Sequence, residues 1–261
     1  MKKIILILLL LSFSFAGLIS PEDGADLSYR HVLFEWEQVP NASAYQIFIS
    51  RLGPSGVNRT DTTESLQYIL SDLTFLYWQN SYYWNVTPIY DDGSLGDTMA
   101  NYTFNIGLSR SNANANQYNS ESYSDGITIF SSFLDYYSAA IDKDGNEIWN
   151  TGDNNLVFYN TDYYGQLFGA QYNSGLINNL PVVEYDMNSN IIWQEPNEHF
   201  AHHEMLQLPN GNYMSIVEDV RNGPIPVNLP NSLTLLFQLL GYIADGTTSE
   251  FPWVGDRIVE W

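Results

Sequence analysis

Short runs in which apolar and polar residues alternate dominate the sequence after Gly17, and they restrict the chain to β structure. In HVLFEWEQV, the side chains of Val32, Phe34 and Trp36 occupy alternate positions. Successive side chains of a strand point to opposite faces, so these three are expected on the buried face of a half-exposed strand. Patterns with the helical period of about 3.6 residues are scarce. The sequence therefore predicts an all-β fold.

Three further runs in the first half of the chain alternate in the same way. They are AYQIFIS, SYYWNVTPIY and NYTFNI, and turn residues such as Gly53-Pro54 and Asp91-Asp92-Gly93 separate them. Strands at such short intervals are typical of a small antiparallel sandwich. We predict a β-sandwich over residues 17–107. A polar segment rich in Asn and Ser, residues 108–125, is interpreted as a linker.

A motif repeats in the second half of the chain at the length of a propeller blade. AAIDKDGNEIWN, with Trp149, is echoed by VVEYDMNSNIIWQ, with Trp193, at a spacing of about 44 residues. DRIVEW, residues 256–261, matches the start of the same pattern. A closed ring needs roughly four to eight blades. We interpret residues 126–261 as the first blades of an incomplete β-propeller, either a fragment, which we favour, or a chain that completes its ring with another chain.

The beginning of the sequence is typical of a secretory signal peptide. Lysines at positions 2 and 3 precede the apolar run Ile4–Leu11, and Ser14-Phe15-Ala16 resembles a cleavage site. The apolar run is shorter than the roughly 20 residues that span a bilayer. We expect residues 1–16 to be removed, no membrane span to remain, and the protein to be exported to the periplasm, the cell surface or the medium.

The charge of the chain argues against two classes of partner. Nine Lys and Arg residues stand against 30 Asp and Glu residues, which gives a net charge of −21. Such a charge repels nucleic acid and anionic membrane surfaces. A site for an anionic substrate would therefore need local positive potential from His or Arg. The absence of cysteine excludes a disulfide framework.

Three of the four histidines lie together, just ahead of a predicted hairpin. His199, His202 and His203 precede a strand, the turn Pro209–Asn212 and a second strand. In an extended strand, His202 shares a face with Glu204, whereas His203 faces the other way. We therefore expect that only one of the two neighbouring rings faces a functional cavity.

The residues alone leave three interpretations of these histidines open. They can be structural side chains at the edge of a blade. His199, His202, His203 and Glu204 can bind a metal, since neutral imidazole is a common ligand, although their spacing differs from a helical HExxH motif. Finally, they can bind or carry a sulfate or phosphate group, because imidazolium donates hydrogen bonds to anionic oxygens and neutral imidazole is a nucleophile.

A second candidate ligand set lies in the first repeat. Asp142, Asp144 and Asn146 have the first, third and fifth positions of a calcium loop, and Asp153 lies near the position of its last ligand. The glycine of this segment, however, is the fourth residue rather than the sixth, and the equivalent turn at Asp186 lacks the central acid. We favour a hairpin turn with Asn or Gly at positive φ, and we predict no metal site.

The second half of the chain resembles a known enzyme family. GITIFSSFLDYYSAAIDKDGNEIW, VVEYDMNSNIIWQ, HHEMLQLPNGNYMSIVED and DRIVEW resemble, in that order, the opening blades of arylsulfotransferases. These exported bacterial six-bladed propellers transfer sulfuryl groups between phenolic compounds through a sulfurylated histidine, without the nucleotide donor PAPS. The resemblance covers residues 125–261. It implies a phenolic sulfate ester as donor, a phenol as acceptor and no cofactor.

Only the HHE motif can be transferred residue by residue from that family. It implies that His203, or its neighbour His202, is an auxiliary catalytic residue that stabilises sulfate oxygens or transfers a proton. The sulfurylated histidine and the arginine of the family lie in later blades, beyond Trp261. The resemblance thus implies an N-terminal portion that lacks the nucleophile and is inactive alone.

The first half of the chain resembles a fibronectin type III-like domain. The resemblance covers residues 18–107 and rests on SPEDGADL, FEWEQVPNASAYQIFIS, YYWNV and YTFNI. Such domains are spacers or adhesion modules, so the resemblance implies no chemistry, and His31 has no assigned role. A non-catalytic surface protein that mediates adhesion or binds glycans is the alternative function. The 19 Tyr and 7 Trp residues suit stacking on sugars.

Residues 222–252 depart from the blade pattern. They contain GPIPVNLP, the apolar NSLTLLFQLLGYIA and DGTTSEFP. We interpret them as an insertion, either a short helix that shields the mouth of the funnel or a long connection within a blade.

Overall fold

The computed structural model describes residues 16–54, 56–113, 126–133, 135–172, 180–196 and 201–261. All but the last residue of the expected signal peptide, and most of the expected linker, lie outside these residues. The described residues confirm the all-β class, since they form eighteen strands and a single helix. Within them, no helix has the length and apolar character needed to cross a membrane. The chain divides into two compact units, residues 1–109 and 110–261.

The first unit contains eight strands in two sheets. The strands are β1 (Leu18–Ser20), β2 (Ala25–Leu27), β3 (Val32–Trp36), β4 (Ala42–Arg51), β5 (Asn58–Thr63), β6 (Gln67–Leu70), β7 (Asn80–Tyr90) and β8 (Tyr102–Ile106). One sheet has the order β1-β3-β6, and the other has the order β2-β8-β7-β4-β5. All neighbouring strands are antiparallel except β2 and β8.

Aromatic side chains of both sheets meet in one core of the first unit. The ring of Phe34 on β3 lies 5.0 Å from that of Trp84 on β7 and 5.8 Å from that of Phe104 on β8. The predicted alternation on β3 is confirmed, because Val32, Phe34 and Trp36 are buried and the residues between them are not. Full burial of one such side chain contributes about 1.5–3 kcal/mol.

The second unit contains ten strands and the helix. They are β9 (Thr128–Ser132), β10 (Tyr137–Ile141), β11 (Glu147–Asn150), β12 (Leu156–Thr161), β13 (Leu167–Gln171), β14 (Val182–Tyr185), β15 (Ile191–Gln194), β16 (Ala201–Gln207), β17 (Tyr213–Gly223), α1 (Asn231–Leu239) and β18 (Phe251–Glu260). The strands form three successive antiparallel sheets, with the orders β11-β10-β9, β12-β13-β14-β15 and β16-β17-β18.

The first strand of each of these three sheets lies beside the first strand of the next. β9, β12 and β16 are edge strands, and β12 contacts both of the others. The hydroxyl of Ser131 on β9 donates to the carbonyl of Phe158 on β12 at 2.9 Å. The amide of Asn160 on β12 donates to the carbonyl of Met205 on β16, also at 2.9 Å. Side chains of three sheets are thereby brought to one place.

The repeated motif corresponds to a repeated hairpin turn. Oδ1 of Asp142 accepts the backbone N–H groups two and four residues later, both at 2.9 Å. Oδ1 of Asp186 does the same at 2.9 and 2.8 Å. The third residue after each aspartate has positive φ, 82° at Gly145 and 65° at Ser189. The predicted turn is confirmed, although a serine rather than Asn or Gly adopts the left-handed conformation in the second copy.

Each tryptophan of the repeat contacts the following sheet. Nε1 of Trp149, on β11, donates to the carbonyl of Met187 in the β14–β15 turn at 2.7 Å. The ring of Trp193, on β15, stacks on that of Tyr213 on β17, with centroids 3.9 Å apart. The tryptophan that marks the sequence repeat is therefore a contact between successive sheets.

The expected insertion begins and ends within a long hairpin. β17 and β18 pair at ten positions, from Met214 opposite Glu260 to Gly223 opposite Phe251. The connection between them contains α1, none of whose residues is buried. The helix contacts the end of the hairpin, where the ring centroids of Phe237 and Phe251 lie 5.1 Å apart. The segment is thus a connection between paired strands that also contains a short helix.

Candidate functional site

His203 lies where the first strands of the three sheets of the second unit meet. Its ring, on β16, is parallel to that of Tyr159 on β12 within 5°, with centroids 5.7 Å apart. The ring centroid of Phe133, directly after β9, lies 5.4 Å from that of the same imidazole. The ring centroids of His202 and His203 lie 5.1 Å apart. We call Phe133, Tyr159, His202 and His203 the histidine cluster.

A β-bulge brings both histidines into this cluster. The pairing of β16 with β17 shifts register between Ala201 and Met205, and His203 has a φ of 59°. We expected only one of the two imidazoles to face a cavity because side chains alternate along an extended strand. The bulge interrupts this alternation, so both rings lie in the cluster. A non-glycine residue with positive φ costs about 1–3 kcal/mol and is common at functional sites. The chain accepts this strain where the two imidazoles meet.

The cluster is open to ligands on the β16 side. His202, His203 and Glu204 are exposed, whereas Ala201 and Met205, at the two ends of the bulge, are buried. The buried ends fix the strand, and the exposed segment between them carries the imidazoles. Both predicted site residues, His202 and His203, therefore lie on an accessible surface between two buried residues of the same strand.

Two polar atoms of β12 beside the cluster have no hydrogen-bond partner among the described residues. They are Oη of Tyr159 and Oδ1 of Asn160. Buried polar atoms normally have a partner in the protein or in bound water, so these atoms indicate a place for water or ligand. Burial raises the pKa of Tyr159 to about 12. Its phenol is therefore protonated at neutral pH, and its hydroxyl oxygen is buried.

A buried network fixes the third sheet to the second. The carboxylate of Glu184 accepts a hydrogen bond from Nε2 of Gln166 at 2.7 Å and another from the phenol of Tyr213. Burial, together with the negative charge of Glu184, raises the pKa of Tyr213 to about 12. Since Tyr213 also stacks on Trp193, this network holds the third sheet, and with it β16, beside the second.

The alternative of a metal site finds no support in the described part of the chain. Its residues contain no group of three or more His, Cys, Asp or Glu side chains that could hold a metal ion. His199, which belongs to the metal interpretation, lies outside them. The described members of the cluster are imidazole, phenol and phenyl groups that stack on one another.

The residues of the possible calcium loop have other partners. Oδ1 of Asp142 accepts the backbone N–H groups of its turn. Asp144 forms an ion pair with Lys143 at 3.1 Å, and Asp153 forms one with Arg110. This geometry agrees with the interpretation of the segment as a hairpin turn.

Phe133, Tyr159 and Asn160 were not among the predicted site residues. Nothing in their local sequence distinguishes them from other strand residues. Their place in the site depends on which strands form the sheet edges and on how those edges meet. The sequence signal that could have found them is their position on, or directly after, the first strand of a repeat.

A scan against models of protein families and a search of curated proteins found no match to this chain. A functional interpretation therefore rests on the residues of the histidine cluster and on their geometry.

Proposed function

We propose that the chain belongs to an exported arylsulfotransferase-like protein, in which the histidine cluster takes part in the transfer of a sulfuryl group between phenolic compounds. The observation that carries this proposal is the meeting of His202, His203 and Tyr159 from neighbouring edge strands. Two imidazoles provide donors for the oxygens of a sulfate ester, and the ring of Tyr159 stacks on one of them.

The chemistry of such a transfer explains why these donors are needed. A nucleophilic nitrogen attacks sulfur, the bond from sulfur to the phenolic oxygen breaks, and the phenolate leaves with that electron pair. In the transition state negative charge develops on the leaving phenolic oxygen, beside the charged oxygens that remain on sulfur. Preorganised donors stabilise this charge in the transition state. His203 and His202 are proposed to hold these oxygens or to protonate the leaving phenolate, while the family resemblance places the nucleophilic histidine on a later blade.

The aromatic side chains of the cluster suit the organic part of the substrate. Phe133 and Tyr159 both contact His203, so an aryl ring bound beside the imidazole would have apolar surfaces within reach. The net charge of −21 repels an aryl sulfate at long range. Local donors at the cluster are therefore required to bind one.

The arrangement of the sheets supports the finer fold assignment that goes with this function. Three successive antiparallel sheets with adjacent first strands are what the opening of a β-propeller would have. Two sheets around one aromatic core support a fibronectin III-like sandwich for the first unit. In this proposal the propeller carries the chemistry and the sandwich is a spacer.

The test measures phenol-dependent release of p-nitrophenol from p-nitrophenyl sulfate by the complete gene product. We expect His203→Ala to lower kcat about a hundredfold, the usual effect of removing one transition-state donor. His202→Ala should have a similar or smaller effect. His203→Asn tolerates the positive φ, so it separates loss of imidazole from loss of structure.

His31→Ala, in the first unit, is the matched control and should retain full activity. Activity unchanged in His202→Ala, His203→Ala and the double variant would exclude the cluster from the reaction. A wild-type protein with no turnover of any aryl sulfate would contradict the enzyme proposal.

One observation favours the alternative of a glycan-binding surface protein. Tyr163 and Tyr164, in the β12–β13 turn, are 96% and 85% exposed. Exposed aromatic rings at a turn can stack on sugars. In that case Tyr163→Ala and Tyr164→Ala would abolish binding to a glycan array, whereas His203→Ala would not change it.

A further inference from the structure

An apolar groove lies between the first and second sheets of the second unit. Its volume is about 440 Å³, within the range of about 300–1,000 Å³ typical of small-molecule sites. No residue of the histidine cluster lines it. Nine described residues line it, and five of these are apolar side chains on or directly before β9, on β12 and β13, and in the β14–β15 turn: Ile127, Ile129, Phe158, Leu167 and Met187.

The β12–β13 turn gives the groove one polar end. Among the described residues that line the groove, Asp162 is the only charged one. Oδ1 of this carboxylate accepts the backbone N–H groups of Tyr164 and Gln166 at 2.9 and 3.0 Å. Oδ2 is not used by the turn, so it can accept a hydrogen bond from a ligand in the groove. A negative charge beside an apolar surface favours a ligand that is cationic at one end and apolar at the other.

Tyr163 adds an aromatic face beside the same carboxylate. It lines the groove, is 96% exposed, and packs edge-on against Tyr164 at 5.5 Å. A cation within about 6 Å of such a ring is attracted by its quadrupole. The carboxylate of Asp162 and the ring of Tyr163 thus both favour a cationic group.

We propose that this groove binds a small arylalkylamine, with its aryl ring against the apolar lining and its ammonium group at Asp162 and Tyr163. Charge complementarity sets the class of ligand, since none of the described lining residues is cationic and the chain has a net charge of −21. An anionic aryl compound, such as an aryl sulfate, would be repelled. A sugar would find few hydrogen-bonding groups, because most of the lining is apolar. The site is independent of the proposed sulfuryl transfer.

The proposal is tested with phenethylamine, phenylacetate and methyl glucoside as probes of the whole chain. Saturation-transfer NMR and calorimetry should show phenethylamine binding with a Kd on the order of 1 mM or tighter, as its size allows. Phenylacetate has the same ring with an anionic end and should bind at least about tenfold more weakly. Equal binding of both ring compounds, stronger binding of the glucoside, or no binding of phenethylamine would overturn the proposal.

Two variants locate the site. Asp162→Asn keeps an Oδ1 acceptor for the turn and removes the charge, so it should weaken phenethylamine binding at least about fivefold. Tyr163→Ala should weaken it about two- to fivefold. Asp142→Asn is the matched control, because it changes a turn with the same hydrogen bonds in the first sheet, outside the groove, and it should leave binding unchanged. Wild-type affinity in Asp162→Asn, with an unchanged thermal midpoint, would also overturn the proposal.

Discussion

The backbone of His203 determines how the two imidazoles meet. Its φ of 59° and the register shift around it turn its ring toward Tyr159 while His202 stays within 5.1 Å. A strand with regular alternation would place these rings on opposite faces. The local conformation of one residue thus creates the candidate site.

This conformation predicts different effects for two substitutions at His203. Asparagine tolerates positive φ, so His203→Asn should change the free energy of unfolding by less than about 0.5 kcal/mol. A β-branched residue does not, so His203→Val should lower it by about 1–3 kcal/mol. Urea denaturation followed by tryptophan fluorescence measures both. At His202, which lacks positive φ, the two substitutions should differ little, and equal effects at His203 would contradict the bulge.

Two tyrosines with buried hydroxyl groups predict that stability falls in alkaline solution. The pKa values of Tyr159 and Tyr213 are raised to about 12 from an ordinary value near 10. A raised folded-state pKa adds stability that is complete below about pH 10 and is lost as the pH rises from 10 through 12. Urea denaturation at pH 8, 10 and 11.5 should therefore show a decrease above pH 10. The double variant Tyr159→Phe and Tyr213→Phe should have a shallower decrease; an unchanged slope would exclude these phenols as the cause.

At the scale of elements, a buried arginine holds the loop between β6 and β7. Arg30 is 8% exposed, and its guanidinium donates to the carbonyls of Leu76 and Leu73 at 2.8 and 2.7 Å. Arg30→Met would leave these carbonyls without their charged donor, so the first unit should lose about 2–4 kcal/mol of stability. Arg59→Met is the control, since Arg59 pairs with Asp61 nearer the surface and should cost at most about 1 kcal/mol. Thermal denaturation compares the two, and equal shifts would contradict the role of Arg30.

The elements also show which parts of the fold are readable from the sequence. The strand at residues 32–36 and the turns at Asp142 and Asp186 follow from local alternation and local side-chain hydrogen bonds, and they are confirmed. The bulge at His203 follows from the pairing of β16 with β17, which no local pattern encodes. The role of Tyr159 requires knowledge of which strands meet at the sheet edges. The sequence therefore indicates the two histidines of the candidate site but not Tyr159.

At the scale of the whole molecule, the tryptophan of the sequence repeat contacts the following sheet in each copy within the second unit. Trp149 reaches from the first sheet to the carbonyl of Met187 in the second, and Trp193 reaches from the second sheet to Tyr213 in the third. Each tryptophan sits at the end of its sheet and contacts the next one. The period of the motif is therefore the period of the contacts between sheets, which explains why the same residue type recurs.

These contacts predict that Trp193 stabilises the packing of the third sheet against the second. Trp193→Ala removes the stack on Tyr213 and should lower the free energy of unfolding by about 2–4 kcal/mol. Hydrogen exchange at the amides of β16 and β17 should become faster, because that sheet loses its contact with the second, while exchange in the first unit stays the same. Trp253→Ala is the matched control, since this side chain is 40% exposed and lies near the far end of the β17–β18 hairpin. If both variants left exchange in β16 and β17 unchanged, Trp193 would not be needed to attach the third sheet to the second. The hydrogen bonds of Glu184 would then hold the two sheets together without it.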